Sequence, residues 1–367
     1  MGLGIRTGLD VTQAVKRKGR GIARYIRDVS PFLTSTGSGL DVTFCIRSER
    51  WLHREYFNDV SRSSKRRWMP LSSIMSVRGL DLFHSFGNHL PLWSPVPTTF
   101  TIHDFRALDN PINPSESPGR LRRNIKRAAG IICLTEHGRG RLEEHFPGTL
   151  NRHVAVIPHG VNHRVFYPRD PGNTAKVLSS LGLTRPYLLQ LGSWFPHKNP
   201  ELSIRAFADT DAFRNDHELV FVGGGGTRAY KDSLASIAAD CGVSGRIKWF
   251  DHLSNEDLPF LVSGASCLVH PSRYEGFCLP ILEAMACGLP GVVSDSSCLP
   301  EVSGGVWPVV AQDDVTAFAA EIDRLIFDSE KRQHIVSAGL ERAQNFTWKN
   351  TALLTTQFFA DVLEKTG

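Results

Sequence analysis

The sequence has no long apolar run, no paired cysteine motif and no tract of low complexity. No stretch of its 367 residues approaches the roughly 18–20 apolar residues that a membrane-spanning helix requires. The N-terminal segment lacks the apolar core of a secretory signal. The seven cysteines are scattered and contain no CxxC pair. They predict reduced thiols in a cytoplasmic protein, rather than disulfide bonds or a zinc site.

Two other common kinds of site are also missing. The sequence contains no G-x-S-x-G elbow and no arrangement of cysteine and histidine typical of a nucleophile and its base. His84, His89, His159 and His163 lack the tight spacing of a zinc motif. We therefore expect no metal, and the remaining candidates are glycine-containing loops and helix starts.

Length and composition fit a soluble protein of two domains. Of the 367 residues, 41% are hydrophobic and 22% are charged, as in globular rather than disordered proteins. A single hydrophobic core rarely grows beyond about 250–300 residues. We therefore expect two domains of average size.

Positive charge is concentrated in the first part of the chain. Residues 1–150 contain 23 Lys and Arg against 13 Asp and Glu, whereas the remainder contains 19 against 24. The runs SRSSKRRW (61–68) and RLRRNIKR (120–127) carry much of this excess. Such runs attract anionic membranes or nucleic acid, and solvated helix faces or loops explain each run equally well. No nucleic-acid-binding motif accompanies them, so no nucleic acid partner is expected.

Short apolar segments alternate with helix-compatible segments along most of the chain. The predicted strands cover residues 41–46, 81–86, 98–104, 130–135, 153–158, 186–192, 218–226, 246–250, 266–270 and 290–295. The segment YPRDPGNTAK (167–176) interrupts this alternation and is typical of a linker. The pattern predicts two doubly wound α/β domains, which bind ligands beyond the carboxyl ends of their parallel strands. Thr347 is a candidate N-cap for a closing helix.

The segment EGFCLPILE (275–283) has a glutamate at each end of a turn that leads into a helix. Pro280 suits the first helical position and Gly288 the position past the end, so the predicted helix covers about residues 280–287. Its free N-terminal amides favour an anion such as phosphate. Either glutamate alone is more often an ordinary loop or exposed helix residue. As a pair beside an anion site, Glu275 and Glu283 favour a binding site.

Two further loops follow predicted strands in the second domain. LGSWFPHKN (191–199) ends in Lys198 and Asn199, and that lysine suits a phosphate or solvent equally well. VGGGG (222–226) matches the dinucleotide pattern G-x-G-x-x-G/A only weakly, because a strand precedes it in the same domain. It favours a tight turn near a nucleotide.

The first domain offers two weaker candidates. His103 and Asp104 end the predicted strand TIHD, where parallel sheets present ligands, although a lone histidine is more often structural. The loop containing Gly19 and Gly21 precedes a predicted helix.

Taken in order, these motifs resemble those of the family-four retaining glycosyltransferases, which have the GT-B fold. The resemblance covers nearly the whole chain and is most specific in residues 270–295, which look like that family's Glu–seven residues–Glu segment. GIARY, TIHD, VIPHGV, GSWFPHKN and the closing FTW segment agree in type and order.

The resemblance implies an acceptor-binding Rossmann-like domain at residues 1–168 and a nucleotide-sugar-binding Rossmann-like domain at 169–345, facing each other across a cleft. It also implies a helix at 346–367 that closes back toward the first domain. Donor-binding positions of the family correspond here to Gly19, Gly21, Gly192, Ser193, Lys198, Gly276, Phe277, Cys278, Leu279 and Glu283. By the same resemblance, Glu275, His103 and Lys198 are catalytic.

These roles are specific in chemical terms. Glu275 would bind donor-sugar hydroxyls, Glu283 the ribose hydroxyls, and Lys198 the departing diphosphate, while His103 would contact the sugar. Fixed charges of both signs suit a reaction that separates charge between sugar and phosphate. No metal or cofactor is implied beyond a nucleotide-diphosphate sugar as co-substrate.

Two positions depart from the family pattern. Ser193 stands where many members have arginine, which places phosphate neutralisation more on Lys198, with His197 or Arg228 assisting. Cys278 stands where glycine is frequent. A cysteine there is strained if the position needs a positive φ, and is tolerated if it has helix-entry geometry.

The expected function is transfer of a hexose, mannose first, to a glycan or lipid-linked acceptor in surface polysaccharide, lipopolysaccharide or glycolipid synthesis. The basic first domain suggests peripheral contact with an anionic membrane from the cytoplasm. Two alternatives stay open: a non-catalytic sugar-nucleotide-binding scaffold, which retention of Glu275, Glu283 and Lys198 argues against, and a nucleotide-sugar epimerase.

Overall fold

The computed structural model describes residues 4–15, 21–60, 65–70, 77–87, 89–109 and 119–366. The chain divides into two compact units. Unit 1 contains residues 1–160 and 347–367, and unit 2 contains residues 161–346. Unit 2 is therefore a continuous segment that lies between two parts of unit 1.

Among the described residues, unit 1 contains a parallel sheet of seven strands. In chain order they are β1 (Ile5–Asp10), β2 (Leu40–Arg47), β3 (Lys65–Met69), β4 (Leu82–Ser85), β5 (Thr98–Ile102), β6 (Gly130–Cys133) and β7 (His153–Val156). Their order across the sheet is β3-β2-β1-β4-β5-β6-β7. The chain builds outward from β1 on one side and then from β4 on the other, which makes a topological switch point between β1 and β4.

Five α-helices belong to the described part of unit 1. They are α1 (Ile22–Leu33), α2 (Arg106–Asp109), α3 (Gly119–Arg127), α4 (Glu136–His145) and α14 (Trp348–Thr366). Short 3-10 segments occur at Thr12–Ala14, Ser48–Asp59 and Thr149–Asn151.

Helix α14 packs onto unit 1. Its N-cap Thr347 accepts a hydrogen bond from the Asn350 amide at 3.1 Å, as the sequence predicts. The Thr351 hydroxyl donates to the Pro158 carbonyl at 2.8 Å. A Cβ at Gly160 would lie 2.2 Å from the Trp348 nitrogen. Glycine is therefore required at position 160, where the chain passes close to the start of α14.

Unit 2 has a six-stranded parallel sheet with the same winding. Its strands are β8 (Tyr187–Leu191), β9 (Glu218–Val222), β10 (Ile247–Phe250), β11 (Cys267–His270), β12 (Gly291–Ser294) and β13 (Val309–Val310). Their order is β10-β9-β8-β11-β12-β13, so the switch point lies between β8 and β11. The central strands are buried, and Leu188, Leu189, Val220, Phe221 and Leu268 are fully so, whereas the edge strands β10 and β13 are partly exposed. Continuous apolar strands of this kind suit a sheet covered on both faces.

Nine α-helices cover this sheet. They are α5 (Pro171–Ser180), α6 (Pro200–Asp209), α7 (Asp211–Arg214), α8 (Arg228–Asp240), α9 (Leu258–Gly264), α10 (Leu279–Ala286), α11 (Leu299–Ser303), α12 (Val315–Phe327) and α13 (Ser329–Gln344). Unit 2 is described throughout, and two 3-10 turns occur at Pro196–Lys198 and Ser244–Arg246.

The predicted fold class of two doubly wound parallel-sheet α/β domains is confirmed in each unit. The prediction of a linker at 167–176 is wrong in its second half, because α5 begins at Pro171. Asp170 caps that helix by accepting a hydrogen bond from the Asn173 amide at 2.9 Å. An N-cap aspartate followed by proline is a helix-start signal that the Pro and Gly content obscured.

Both basic runs have regular structure. Residues 65–68 of the first run lie in β3 at the edge of the sheet, rather than in a loop or helix face, and residues 61–64 lie outside the described part. Charged side chains such as Lys65 on an edge strand discourage pairing with another chain. The second run forms most of α3.

Candidate active site

The switch point in unit 2 brings two loops together. β8 and β11 are adjacent and parallel, with Cys267 opposite Leu188 in register. The chain leaves the carboxyl end of β8 into the loop that carries Lys198, and the carboxyl end of β11 into the loop that carries Glu275. Loops at a switch point diverge to opposite faces and leave a crevice between them.

Lys198 and Glu275 form a buried ion pair in these loops. The Lys198 Nζ atom donates to Glu275 Oε1 at 2.5 Å, and the two side chains are 17% and 10% exposed. The Lys198 backbone is fixed as well, because Gln190 Nε2 on β8 donates to its carbonyl at 2.9 Å. The pair is therefore held by the sheet and not by loop contacts alone.

Each member of this pair stabilises the charged form of the other. Burial alone would raise the pKa of Glu275, but the Lys198 ammonium and the hydrogen bond with His270 hold that pKa well below its usual range. Burial alone would lower the pKa of Lys198, and the Glu275 carboxylate raises it instead. The site therefore carries one fixed negative and one fixed positive charge at neutral pH.

Polar groups surround the same carboxylate. The Nε2 atom of His270, the last residue of β11, lies 2.9 Å from Glu275 Oε1. The Ser272 hydroxyl donates to that oxygen at 3.1 Å. The Glu275 amide donates to the Ser297 hydroxyl at 2.9 Å. Both the side chain and the backbone of Glu275 are thus fixed before any ligand arrives.

Cys278 begins helix α10 in a left-handed conformation, with φ 71° and ψ 66°. The sequence left two interpretations of this position open. Its φ is positive, so the cysteine carries backbone strain. The side chain is 6% exposed, and its Sγ lies 3.0 Å from His270 Nε2. Burial, followed by the nearby Glu275 charge, raises the pKa of the thiol well above its usual value, which keeps Cys278 neutral.

Helix α10 supplies the N-terminus that the sequence predicts, one residue earlier than expected. It runs from Leu279 to Ala286, with Pro280 in its first turn. Its N-terminal amides lie within the segment that contains Gly276 and Phe277, and such a terminus favours an anion. Glu283 is 3% exposed, so the alternative of an ordinary exposed helix glutamate is wrong.

The glycine loop after β9 packs against the loop that carries Lys198. Gly192 donates to the Val222 carbonyl at 2.9 Å, and a Cβ at Gly223 would lie 2.1 Å from the Gly192 oxygen. Ser193 follows directly in this loop. Gly223 thus allows close backbone packing against the loop that carries Lys198.

Arg228 and His197 were suggested as assistants to Lys198. The Arg228 side chain is 96% exposed and pairs with Asp232 at 4.0 Å on α8. The His197 ring stacks on Phe195, with ring centroids 6.0 Å apart. The assisting role of His197 and Arg228 stays a prediction.

Unit 1 contains the other predicted site residues. The Nε2 atom of His103, just after β5, donates to the Phe86 carbonyl at 2.6 Å, which leaves Nδ1 with the free lone pair of a neutral ring. Burial lowers the pKa of His103 and favours that neutral form. Gly21 precedes α1 at φ 51°, whereas Gly19 lies outside the described residues.

One group of ligand-type side chains could hold a metal ion within the part of the chain that the structure describes. His270, Glu275 and Cys278 each offer an atom, and these atoms lie within 4.8 Å of one another. The Lys198 ammonium binds the same carboxylate oxygen at 2.5 Å, and its charge opposes a cation there.

Sequence reasoning overlooked His270, Ser272 and Ser297 as partners of Glu275. The first was detectable, because His270 is the last residue of a predicted buried strand, where a polar residue points toward the ligand edge. Ser297 was not, because it lies 22 residues beyond Glu275 and only the fold brings the two together.

Two parallel-sheet units of this kind define the GT-B fold of glycosyltransferases. Sucrose-phosphate synthase from Thermosynechococcus elongatus aligns over 99% of this chain and 100% of its own, with a TM-score of 0.76 and 19% identity. Residues 176–342 match the family model described as Glycosyl transferases group 1. The matched residues all lie within unit 2, and unit 2 belongs to this family.

Two curated relatives are similar to this chain in sequence. An O-antigen chain mannosyltransferase B of Escherichia coli is 34% identical over 193 residues, which are 52% of this chain and 50% of the relative. A D-inositol 3-phosphate glycosyltransferase of Frankia alni is 32% identical over 274 residues, 70% of this chain and 66% of the relative. The chain thus spans about half to two thirds of the length of these relatives.

Within the described ranges, no helix combines the length and the apolar character needed to span a bilayer.

Proposed function

We propose that this protein is a retaining, metal-independent glycosyltransferase that moves a hexose from a nucleotide-diphosphate sugar to a glycan or lipid-linked acceptor. The buried Lys198–Glu275 pair carries this proposal, because it places opposite fixed charges 2.5 Å apart beside a helix N-terminus. Glycosyl transfer develops positive charge on the sugar and negative charge on the diphosphate, so such a pair can stabilise both.

In this reaction Lys198 and the amides of the α10 N-terminus hold the diphosphate, and Glu275 holds the sugar. The bond between the anomeric carbon and the phosphate oxygen breaks as the acceptor oxygen bonds to the same face of that carbon. The acceptor proton passes to the departing phosphate oxygen, so configuration is retained without a protein nucleophile. Glu283 would bind the ribose, and His103 would offer Nδ1 to a donor-sugar hydroxyl.

A thermal-shift screen of nucleotide sugars tests the donor assignment. At least one should raise the melting temperature of the wild type, and the rise should shrink in Glu283→Ala and Lys198→Ala. Glu256→Ala, which removes a carboxylate from the 251–257 loop of the same unit, is the control and should respond as the wild type does. A wild type that no nucleotide sugar stabilises, or variants that respond fully, would refute the assignment.

Mannose is the first candidate for the transferred sugar, and surface polysaccharide or lipopolysaccharide synthesis is the proposed setting. The resemblance to a mannosyltransferase of O-antigen chains supports this choice, while the D-inositol 3-phosphate glycosyltransferases keep other sugars and acceptors open. Product analysis with GDP-mannose and competing donors distinguishes them. An epimerase would convert a donor without any acceptor, and a scaffold would bind it without turnover.

Peripheral contact with an anionic membrane on its cytoplasmic side is also proposed. The edge strand β3 carries Lys65 and Arg66, and the neighbouring Trp51 and Leu52 are 50% and 80% exposed. The rings of Trp51 and Trp68 lie 4.8 Å apart, and Arg66 lies on the same face of β3 as Trp68, because successive side chains of a strand alternate between its faces. Basic residues beside exposed aromatics suit a lipid interface.

Flotation with vesicles containing phosphatidylglycerol tests this contact. The wild type should float and a variant with Lys65, Arg66 and Arg67 changed to glutamine should not. A wild type that stays in the bottom fraction of the gradient, or equal flotation of both proteins, would count against the contact.

A further inference from the structure

A cavity of about 590 Å³ opens at the carboxyl edge of the unit 1 sheet. Asp10 at the end of β1 and Arg47 at the end of β2 lie in its wall. It is therefore placed where doubly wound sheets bind ligands. None of its lining residues belongs to the donor-binding positions described above.

Five arginines line this cavity, namely Arg47, Arg50, Arg120, Arg123 and Arg127. Two carboxylates, Asp10 and Glu49, line it as well, which leaves three positive charges in excess. Both carboxylates lie near Arg47, at 4.0 Å and 3.3 Å from its guanidinium nitrogens. Among the described residues, the charges of the other four arginines have no carboxylate within 4.0 Å.

Neutral groups hold some of these arginines in place. The His89 ring lies between two of them, with Nδ1 3.0 Å from Arg47 and Nε2 3.2 Å from Arg120, and the neutral ring accepts a hydrogen bond from one of these two guanidinium groups. Burial, and then the two guanidinium charges, lower the pKa of His89 to about 4. Arg127 donates to the Pro91 carbonyl at 2.6 Å. A guanidinium oriented by a neutral acceptor keeps its full charge for an external anion.

A buried side chain points to a ligand independently of the charge. Asn124 lines the cavity and is 3% exposed, and its Nδ2 has no hydrogen-bond partner among the described residues. A buried amide donor left unpaired is costly. An acceptor oxygen in the cavity would satisfy it.

Helix α3 explains why these groups converge. Arg120, Arg123, Asn124 and Arg127 are spaced three and four residues apart, so they lie along one face of the helix. Arg122, on the same helix, is exposed and lies over the Phe146 ring at 5.3 Å instead. The second basic run thus divides into arginines that face the cavity and one that does not.

We propose that this cavity binds the phosphate or diphosphate group of a phosphorylated acceptor. This inference rests on the proposed glycosyltransferase function, since it names the acceptor class of that reaction. Guanidinium groups match phosphate oxygens in a bidentate geometry, and three excess charges suit an anion of two or three charges. Leu92, 58% exposed at the rim, would contact the less polar remainder of the acceptor.

Calorimetric titration with inorganic pyrophosphate tests the cavity directly. The double variant Arg120→Gln/Arg123→Gln should weaken this binding about 10- to 100-fold, as expected for two lost charge-assisted contacts. Arg122→Gln removes one positive charge from the same helix, away from the cavity, and this variant should bind pyrophosphate as the wild type does. Any pyrophosphate held in unit 2 contributes equally to all three proteins, because every substitution lies in unit 1.

Competition identifies the source of the phosphate. Displacement of pyrophosphate by D-inositol 3-phosphate indicates a soluble phosphate monoester, and displacement by a polyprenyl diphosphate in detergent micelles indicates a lipid-linked acceptor. Either result supports the proposal. Equal binding by the double variant and the wild type, equal weakening in Arg122→Gln, or displacement by neither compound would overturn it.

The experiments distinguish failure of the proposed function from failure of the anion site. If no nucleotide sugar stabilises the wild type but pyrophosphate binding still depends on Arg120 and Arg123, the transferase assignment is wrong while the anion site stands. If nucleotide sugars bind normally and pyrophosphate binding ignores these arginines, the transferase stands and the anion site is wrong.

Discussion

Lys198 and Glu275 are 77 residues apart in the chain, and their side chains meet at 2.5 Å in a buried ion pair. The pair joins the loops after β8 and β11, and it is enclosed by polar groups such as His270 and Ser272. Its members are the strongest candidates for donor chemistry, and they also contribute to the stability of unit 2. The two contributions can be separated experimentally.

Removal of the lysine alone should destabilise the protein strongly. Lys198→Met leaves the Glu275 carboxylate buried without its cation, so we expect the free energy of unfolding to fall by about 3–5 kcal/mol. Lys198→Met/Glu275→Leu removes both charges and should recover most of that loss, without recovering activity. Chemical denaturation measures all three proteins. Lys231→Met, which breaks an exposed pair with Asp251, should cost less than about 1 kcal/mol, and a similar cost for Lys198→Met would contradict the prediction.

The stability that Glu275 contributes should depend on pH in a defined direction. Its pKa is lowered in the folded state from an ordinary value of 4.5, so the contribution is complete above that value and is lost as pH falls through the folded pKa. The raised pKa of Lys198 keeps the lysine charged throughout the acid and neutral range. The difference in unfolding free energy between wild type and Glu275→Gln should therefore stay constant from neutral pH to about pH 5 and shrink below about pH 4. Urea denaturation between pH 3 and 7 measures it, and a difference that grows on acidification would refute the argument.

Glycine should be better than alanine at position 278, the reverse of the usual order for an interior residue. The backbone there has φ 71°, which costs a residue with a Cβ about 1–2 kcal/mol. Cys278→Gly relieves that strain while losing the buried thiol, and Cys278→Ala loses the thiol and keeps the strain. We expect the glycine variant to be more stable than the alanine variant by about 1 kcal/mol, measured by thermal unfolding. Alanine proving equal or better would mean that the left-handed conformation is not maintained.

A Cβ at Gly223 should be far more damaging than one at another left-handed glycine. At Gly223 it would meet the Gly192 oxygen at 2.1 Å, whereas at Gly242, also with positive φ, it has no neighbour within 4 Å. Gly242→Ala should cost only the strain of about 1–2 kcal/mol. Gly223→Ala must also move the loop that carries Lys198, so it should cost more than this and weaken donor binding. Parallel measurements of unfolding and nucleotide-sugar affinity test both effects.

His103 should affect transfer more than nucleotide binding. In the proposed reaction it touches only the donor sugar, so His103→Gln should lower kcat/KM roughly 10- to 100-fold, the effect of one or two lost hydrogen bonds. The affinity for the nucleoside diphosphate without its sugar should not change, because His103 has no proposed contact with the nucleotide. Titration measures the affinity for the nucleoside diphosphate. If His103→Gln lowered that affinity as much as it lowered kcat/KM, the assignment of His103 to the donor sugar would be wrong.

The fold class was predictable because period and composition act locally. The apolar segments around β8 and β11 have the composition of buried strands, and Pro280 and Gly288 predict the bounds of α10 without tertiary information. Long-range partners were not predictable. Ser297 bonds to the Glu275 amide only because β12 returns beside β11. In the sequence the arginines of α3 form one basic run. Which of them face the cavity is decided only by packing.

The chain passes into unit 2 after Gly160 and back into unit 1 after Phe346, and these two crossing points lie side by side in the structure. Val161 and Phe346, the first and last residues of unit 2, share a backbone hydrogen bond of 3.0 Å, and on the unit 1 side Gly160 approaches Trp348 closely. Unit 2 is thus a domain insertion with neighbouring ends. It can be excised as residues 161–346 without an artificial connection, and a short peptide joining Gly160 to Thr347 can rebuild the other half as an independent protein.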